Sequence, residues 1–469
     1  MPPSRLSALD ASFLDVETAS AHMHVGWAAA FDPPEGRHAP TFEQLRDHIG
    51  RRLRRAPRYR QRLVGVPLGL ARPVWVDDEC FDITRHVRRA GRASLPELAG
   101  SVLSTPLSRE RPLWELWIAD RLADGRMGVV CKAHHCMVDG IAAVELANVL
   151  LDREPEAPPE PPDDWEPAES PGQARLLLEG LVDTARGQLA LAGSAARLAR
   201  SPLKLASGAQ RAGEALLSSL APASPLAALN APISPYRTLA TIARPMDELR
   251  AIKRAYGCTV NDVVLAVSSG AVRRHIERHR EHPGRLKAMI PVNVRDEDAA
   301  SELGNRISFI FLELPCDEPG AEERLRCISQ ATDHAKASGH PSGATTVLDL
   351  AAAAPSMLQR ALSRLVASPR TFNVVVSNIP GPQLPVWMLG CRLSEAYPIV
   401  PLAERHVLSI GFTSVADGAF FGIYADRDAA PDAELLARDI GDALDELAAL
   451  AARGSRRRGS KRRLEPVAT

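Results

Sequence analysis

The chain has 469 residues and 50.6 kDa, with 45% apolar and 24% charged residues, enough to bury the core of two or three domains and too apolar for a disordered chain. Its 57 basic and 57 acidic side chains cancel, which argues against a general polyanion binder such as a nucleic-acid protein. The seven cysteines form no CxxC pair, so neither a zinc site nor a disulfide framework is expected, and buried free thiols in a reducing compartment are.

The first residues, with Asp10 and Asp15 early, lack the basic-then-apolar order of a secretory signal, and no uninterrupted apolar stretch is long enough to span a bilayer as a helix. Val25 to Phe31 reads as a strand, preceded by His22 and His24, whose alternation puts them on one face. Trp114 to Ile118 reads as another, in which Trp114 is either a core residue or a wall of a substrate channel. Gly128 to Ala133 is a third strand, and it runs directly into His134-His135-Cys136-Met137-Val138-Asp139-Gly140. A helix is expected from Ile141 to about Leu150.

Arg153 to Pro171 holds seven prolines and seven acidic groups in 19 residues, a composition that sustains neither a helix nor a central strand. Gln173 to Ser219 is small, apolar, dotted with arginine and helical by pattern. It suits a crossover, a lid or an arm on a lipid interface, and packing on its own protein is the commoner fate. Prolines punctuate 221–236, after which a strand (Thr238 to Arg244) and a helix (Met246 to Tyr256) follow. Thr259 and Asp262 have capping-box spacing and open a helix to about Ile276.

Ala288 to Val294 and Ile307 to Leu314 read as strands, Ala321 to Ala337 as a helix, and Asn373 to Ser377 as a buried strand stopped by Pro380 and Gly381. Val407 to Val415 and Ala419 to Tyr424 flank Ala416-Asp417-Gly418 as a hairpin. Asp432 to Leu450 is a last amphipathic helix. The basic run after Ala452 is disordered and solvated by default, with anchoring to anionic lipid as the functional alternative.

No GxGxxG or GxxxxGK[ST] is present, so a nucleotide-binding doubly wound sheet is not expected. A mixed-sheet, two-domain α/β (α+β) architecture fits better. It divides as 1–152, a 153–235 linker and helical crossover, 236–452, and a 453–469 tail.

The chemistry concentrates at residues 134–140. An imidazole at a strand end suits a general base, because it is half-protonated near neutrality and moves a proton either way. A structural turn with bonded ring nitrogens competes with that reading. So does a metal ligand, although this segment has neither HExxH spacing nor a third clustered ligand. The residues alone leave these three open.

The segment His134 to Gly140 matches the HHxxxDG motif of acyltransferases that resemble chloramphenicol acetyltransferase and the condensation domains of peptide synthetases. Further blocks follow in order: Leu6-Ser7-Ala8-Leu9-Asp10-Ala11-Ser12-Phe13, Pro112-Leu113-Trp114, Asn261-Asp262, Pro291-Val292-Asn293-Val294-Arg295, Gly304-Asn305 and Ser377-Asn378-Ile379-Pro380-Gly381-Pro382. Together they resemble the bacterial wax ester synthase/diacylglycerol acyltransferase family.

The resemblance implies two chloramphenicol-acetyltransferase-like domains with a tunnel between them. It makes His135 the general base, His134 a support for the loop, and Asp139 a structural carboxylate with Arg295 as its partner, while Gly140 permits the turn. Asn261 and Asn378 would line the cleft; Asp262 would line it or cap its helix. It implies acyl-coenzyme A as co-substrate, with no metal and no permanently bound cofactor. Diacylglycerol or a long-chain alcohol would be the acceptor, in the cytoplasm or peripherally at the inner membrane or a lipid droplet. Another hydroxyl or amine acceptor, and a non-catalytic lipid-binding role, are the alternatives.

Overall fold

The computed structural model describes residues 3–34, 36, 38–137, 149–156, 160–161, 163–180, 182, 222–293, 307–337 and 356–462. The first half contributes β1 (Ser4–Arg5), α1 (Ala8–Val16), β2 (His24–Asp32), α2 (Phe42–Arg52), β3 (Gln61–Val64), β4 (Val74–Asp77), β5 (Val87–Arg89), α3 (Leu95–Leu103), β6 (Trp114–Ala119) and β7 (Met127–His134). After it come α4 (Ala227–Asn230), β8 (Arg237–Pro245), α5 (Met246–Tyr256), α6 (Val260–Arg278), β9 (Arg285–Asn293), β10 (Ile307–Pro315) and α7 (Ala321–Ala337). The last are α8 (Ser356–Val366), β11 (Val374–Ile379), β12 (Trp387–Met388), β13 (Cys391–Ile399), β14 (Leu408–Val415), β15 (Gly418–Asp426) and α9 (Ala433–Arg462).

Two six-stranded sheets, ordered β12-β13-β2-β7-β6-β5 and β10-β9-β11-β14-β15-β8, dominate, with a small sheet β1-β4-β3 beside the first. Both large sheets are mixed: β5 runs parallel to β6, and β11 runs parallel to β9 and β14. This is the mixed α/β architecture expected from the sequence.

β7 is buried along its whole length, flanked by β2 and β6. Its one charged side chain, Lys132, is satisfied inside the core by the carbonyls of Val102 (3.0 Å) and Thr105 (2.9 Å) and by Glu115 (3.2 Å). A buried charge is tolerated when paired and hydrogen-bonded in this way. α6 is the core helix of the second half. It opens on the Thr259–Asp262 capping box and buries apolar and small residues almost all round, against α5, α7 and α9.

Two findings depart from the sequence reading. β12 and β13, which the sequence reading did not recognise as strands and which lie within its 236–452 division, complete the first sheet: β13 pairs antiparallel with β2 from Asp32 to Gly26. Alternation of side chains specifies a strand's faces but not its partner. β13 also lies directly on β15, where a Cβ on Gly422 would sit 2.4 Å from the carbonyl oxygen of Pro398. Glycine is required there by backbone-to-backbone approach. The halves are tied again by Arg237, buried in an ion pair with Asp426 (3.1 Å) and donating to the carbonyl of Ser20, while its amide donates to Ser104 Oγ (2.8 Å).

The second departure is α9, which continues to Arg462, twelve residues past the expected end at Leu450 and through part of the basic run expected to be disordered. The proline- and acid-rich segment is also more engaged than its composition suggests. Asp152 and Glu160 pair with Arg52 (2.5 and 3.5 Å), Asp163 pairs with Arg60, and the Ala168 amide donates to Asp77 (3.1 Å). Arg60 also lies over the ring of Trp165. The segment is strapped along the first half by charges that a local composition argument cannot match to partners.

Of the expected crossover helix, residues 173–180 are helical and the rest lies outside the described residues, apart from Val182. The expected helix after His135 lies outside them except at 149–150. All seven cysteines are free, and Cys80 is exposed rather than buried. No helix among the described residues is long and apolar enough to cross a membrane.

Candidate active site

β7 ends at His134, and the chain turns at once. The ring of His134 holds that turn: its Nδ1 accepts from the amide of Cys136 (3.1 Å), and its carbonyl accepts from the amide of Met137 (2.9 Å). An Nδ1 that accepts leaves the proton on Nε2, which lies 3.7 Å from Glu17 Oε2, too far for a hydrogen bond. Burial, and secondarily Arg109, holds the pKa of His134 down to about 3. A ring this hard to protonate is neutral at physiological pH and a poor proton acceptor.

The turn delivers His135 to a different environment. Its amide donates to the carbonyl of Met23 (2.9 Å), a residue held at φ +50°, where L side chains are uncommon. Its ring stacks on Phe13, with centroids 3.8 Å apart and planes at 7°. The side chain is 8% exposed.

That residual surface opens on a cavity of about 120 Å³. α1 supplies Leu9, Ser12, Phe13 and Val16 from one face, the i, i+3, i+4, i+7 pattern. α8 and the residue after it supply Leu362, Ser363, Val366 and Ala367 opposite. Met289 and Pro291 of β9, Phe309 of β10 and Val375 of β11 form the floor. Gln359 donates to the Ala8 carbonyl (3.0 Å), and Arg360 pairs with Asp15 (3.2 Å), so α8 and α1 close over the cavity together. Both halves of the chain therefore wall it. Among the described residues lining it, only His135, Ser12 and Ser363 carry polar side chains, and of these only the imidazole offers a basic nitrogen.

The other expected site residues fall apart into groups. Asn378 donates to Asn261 Oδ1 (3.3 Å), which joins β11 to the start of α6. Neither lines the His135 cavity. Asp262 spends its carboxylate structurally: one oxygen accepts from the Thr259 amide (2.8 Å), the other from the Thr332 hydroxyl (2.7 Å), and the residue is buried. It closes the capping box on the Thr259 N-cap and is not a cleft residue. Trp114 is 0% exposed, with its indole N–H donating to the Tyr59 carbonyl (2.7 Å) and its ring on His86. A side chain with no accessible surface lines no channel, and that corrects its assignment to the cleft.

Asp139, Gly140 and Arg295 lie outside the described residues, as do Gly304 and Asn305. His22 and His24 sit 5.1 Å apart in the core, with burial lowering both pKa values. They do not line the cavity.

Sequence reading missed Met23 and the role of Phe13. Phe13 was present as the end of the Leu6 to Phe13 block, and its helical spacing from Leu9 and Val16 was the available signal. Nothing local marks Met23.

Two mixed sheets sharing a strand exchange, with a strand-end histidine on a cavity between them, define a two-lobed fold of the chloramphenicol acetyltransferase and condensation-domain type. The first condensation domain of the calcium-dependent antibiotic synthetase shares it at a TM-score of 0.60 and 17% identity, over 96% of each chain. A wax ester synthase/diacylglycerol acyltransferase from Marinobacter aquaeolei VT8 superposes with a TM-score of 0.69, 27% identical, over 96% of this chain and 100% of its own. A probable diacylglycerol O-acyltransferase of Mycobacterium tuberculosis is 32% identical over 97% of this chain and 99% of its own. Residues 6–264 match the wax ester synthase/diacylglycerol acyltransferase catalytic domain, and 303–448 match the C-terminal domain of the same family. The chain belongs to the wax ester synthase/diacylglycerol acyltransferase family.

Proposed function

We propose that this chain transfers a long-chain acyl group from acyl-coenzyme A to the free hydroxyl of diacylglycerol, and to a long-chain alcohol when one is supplied, with His135 as general base. The observation that carries the reading is the His135 imidazole on the wall of a mostly apolar cavity built from both halves. An alcohol is a weak nucleophile until its proton is removed during attack, and His135 is the group placed to accept it. Attack on the thioester carbon gives a tetrahedral oxyanion. Collapse breaks the carbon–sulfur bond, forms the ester and releases the thiolate, to which the imidazolium returns its proton. No acyl-enzyme is required.

In this reading His134, neutral and bonded to the Cys136 amide, holds the turn rather than taking the proton. Asp139 braces the same loop with Arg295 as its partner. Asn261 and Asn378 act as a pair that fixes α6 against β11 beside the cleft. Peripheral contact with lipid is supported by Leu70, Leu178 and Val182, which stand exposed around the place where Gly180 meets Ala71.

The test is a thiol-release assay with palmitoyl-coenzyme A and dipalmitoylglycerol or hexadecanol, products identified by mass. Coenzyme A appearing only with both substrates, with triacylglycerol or wax ester in equal amount, is the expected result. Tight binding of acyl-coenzyme A without any acceptor-dependent release contradicts it.

A further inference from the structure

The last turn of α6 carries a second histidine pair, His275 and His279, four residues apart. Asp432, just ahead of α9, completes a group in which one ligand atom from each residue lies within 4.8 Å of the others. None of the three lines the His135 cavity.

The hydrogen bonds fix which atoms are open. His275 is fully buried, and its Nε2 lies 3.1 Å from the carbonyl oxygen of Ala228. A carbonyl only accepts, so Nε2 carries the proton and Nδ1 carries a lone pair. That Nδ1 is buried and makes no hydrogen bond; it faces Asp432 at 3.4 Å. Asp432 Oδ2 accepts from Arg278 (3.3 Å), whereas its Oδ1 is buried with no hydrogen bond. His279 donates from Nδ1 to the carbonyl of His275 (2.9 Å), which leaves Nε2 as the ring atom open to a ligand. The cluster thus holds two buried acceptors without a hydrogen bond, His275 Nδ1, which lies 3.4 Å from Asp432 Oδ2, and Asp432 Oδ1. A histidine that donates its far N–H to a backbone carbonyl while presenting the other nitrogen is arranged as metal-binding histidines are.

We propose that His275, His279 and Asp432 form a site for a divalent metal of the zinc type. Two imidazoles and one carboxylate suit a borderline cation, and the exposed side of His279 leaves the fourth position to water. Bound metal would pin the end of α6 to the start of α9 and, through Ala228, to α4. Its role is structural and independent of acyl transfer.

The test uses tag-free, full-length protein stripped with a chelator, desalted and dialysed against zinc(II), with bound metal measured by mass spectrometry. His279→Gln is the main variant because His279 is exposed and its loss leaves the core intact; Asp432→Asn is the second. The wild type is expected to hold one zinc more per chain than either variant, or to bind it about ten-fold or more tightly. Zinc is expected to raise the melting temperature of the wild type only. Cobalt(II) should give visible ligand-field bands with the wild type that the variants lack. Equal zinc stoichiometry and affinity in all three proteins overturns the site. Acyl transfer is not read in any arm, so either proposal can fail alone.

Discussion

Phe13 lies flat on His135, ring centroids 3.8 Å apart and planes at 7°. The first helix of the chain therefore orients a residue more than a hundred positions away, and the same helix face walls the cavity that His135 enters. A stacked pair of this kind contributes about 0.5–1.5 kcal/mol.

Removing the phenyl ring should loosen the imidazole without removing it. Phe13→Ala is expected to lower kcat by up to about ten-fold, a change of about 1.4 kcal/mol, with less effect from Phe13→Tyr. Steady-state kinetics on purified variants decide this. An unchanged kcat in Phe13→Ala shows that the stack does not position the base.

Asp262 separates structure from chemistry. Asp262→Ala removes the carboxylate half of the α6 capping box and the bond from Thr332, while the Thr259 hydroxyl still caps the helix, and should cost about 2 kcal/mol of stability. Turnover at a temperature where the variant is folded should match the wild type. Calorimetry and kinetics on one preparation check both halves; lost turnover with an unchanged melting curve returns Asp262 to the cleft.

Acid should unfold this protein through its buried histidines. His134 is held down to about 3 and His24 well below its ordinary 6.5, both chiefly by burial. The unfolded chain binds those protons first, so stability is full above pH 6.5 and is lost as pH falls from there toward 3. Melting temperatures across that window should fall steadily, and His134→Asn should flatten part of the slope. An identical slope in the variant argues that His134 contributes none of it.

Gly422 marks where β13 crosses onto β15. A methyl group there meets the Pro398 carbonyl oxygen at 2.4 Å, so Gly422→Ala should destabilise by about 1–3 kcal/mol or more and disturb the cavity between the halves. Chemical denaturation measures it, and a neutral effect shows that β13 yields easily.

Most elements of the fold were legible because periodicity and capping are local. The helix Met246–Tyr256, the capping box at Thr259 and the hairpin near Ala416 all lie where the pattern puts them. What was not legible needed partners distant in sequence. The pairing of β13 with β2, the arginines that strap Glu160 and Asp163, and the burial of Trp114 depend on the assembled core. His135 was legible through its motif and strand end, whereas the Met23 carbonyl that anchors it was not. His275 and His279 show their spacing openly, yet only the fold brings Asp432 to them.

The most direct test is His135→Ala, assayed for acceptor-dependent release of coenzyme A beside a melting curve. The side chain is one wall of a cavity, so the variant should fold with a loss near 1 kcal/mol while turnover falls about 10²–10⁴-fold. A folded His135→Ala protein that still esterifies diacylglycerol at the wild-type rate would contradict the account.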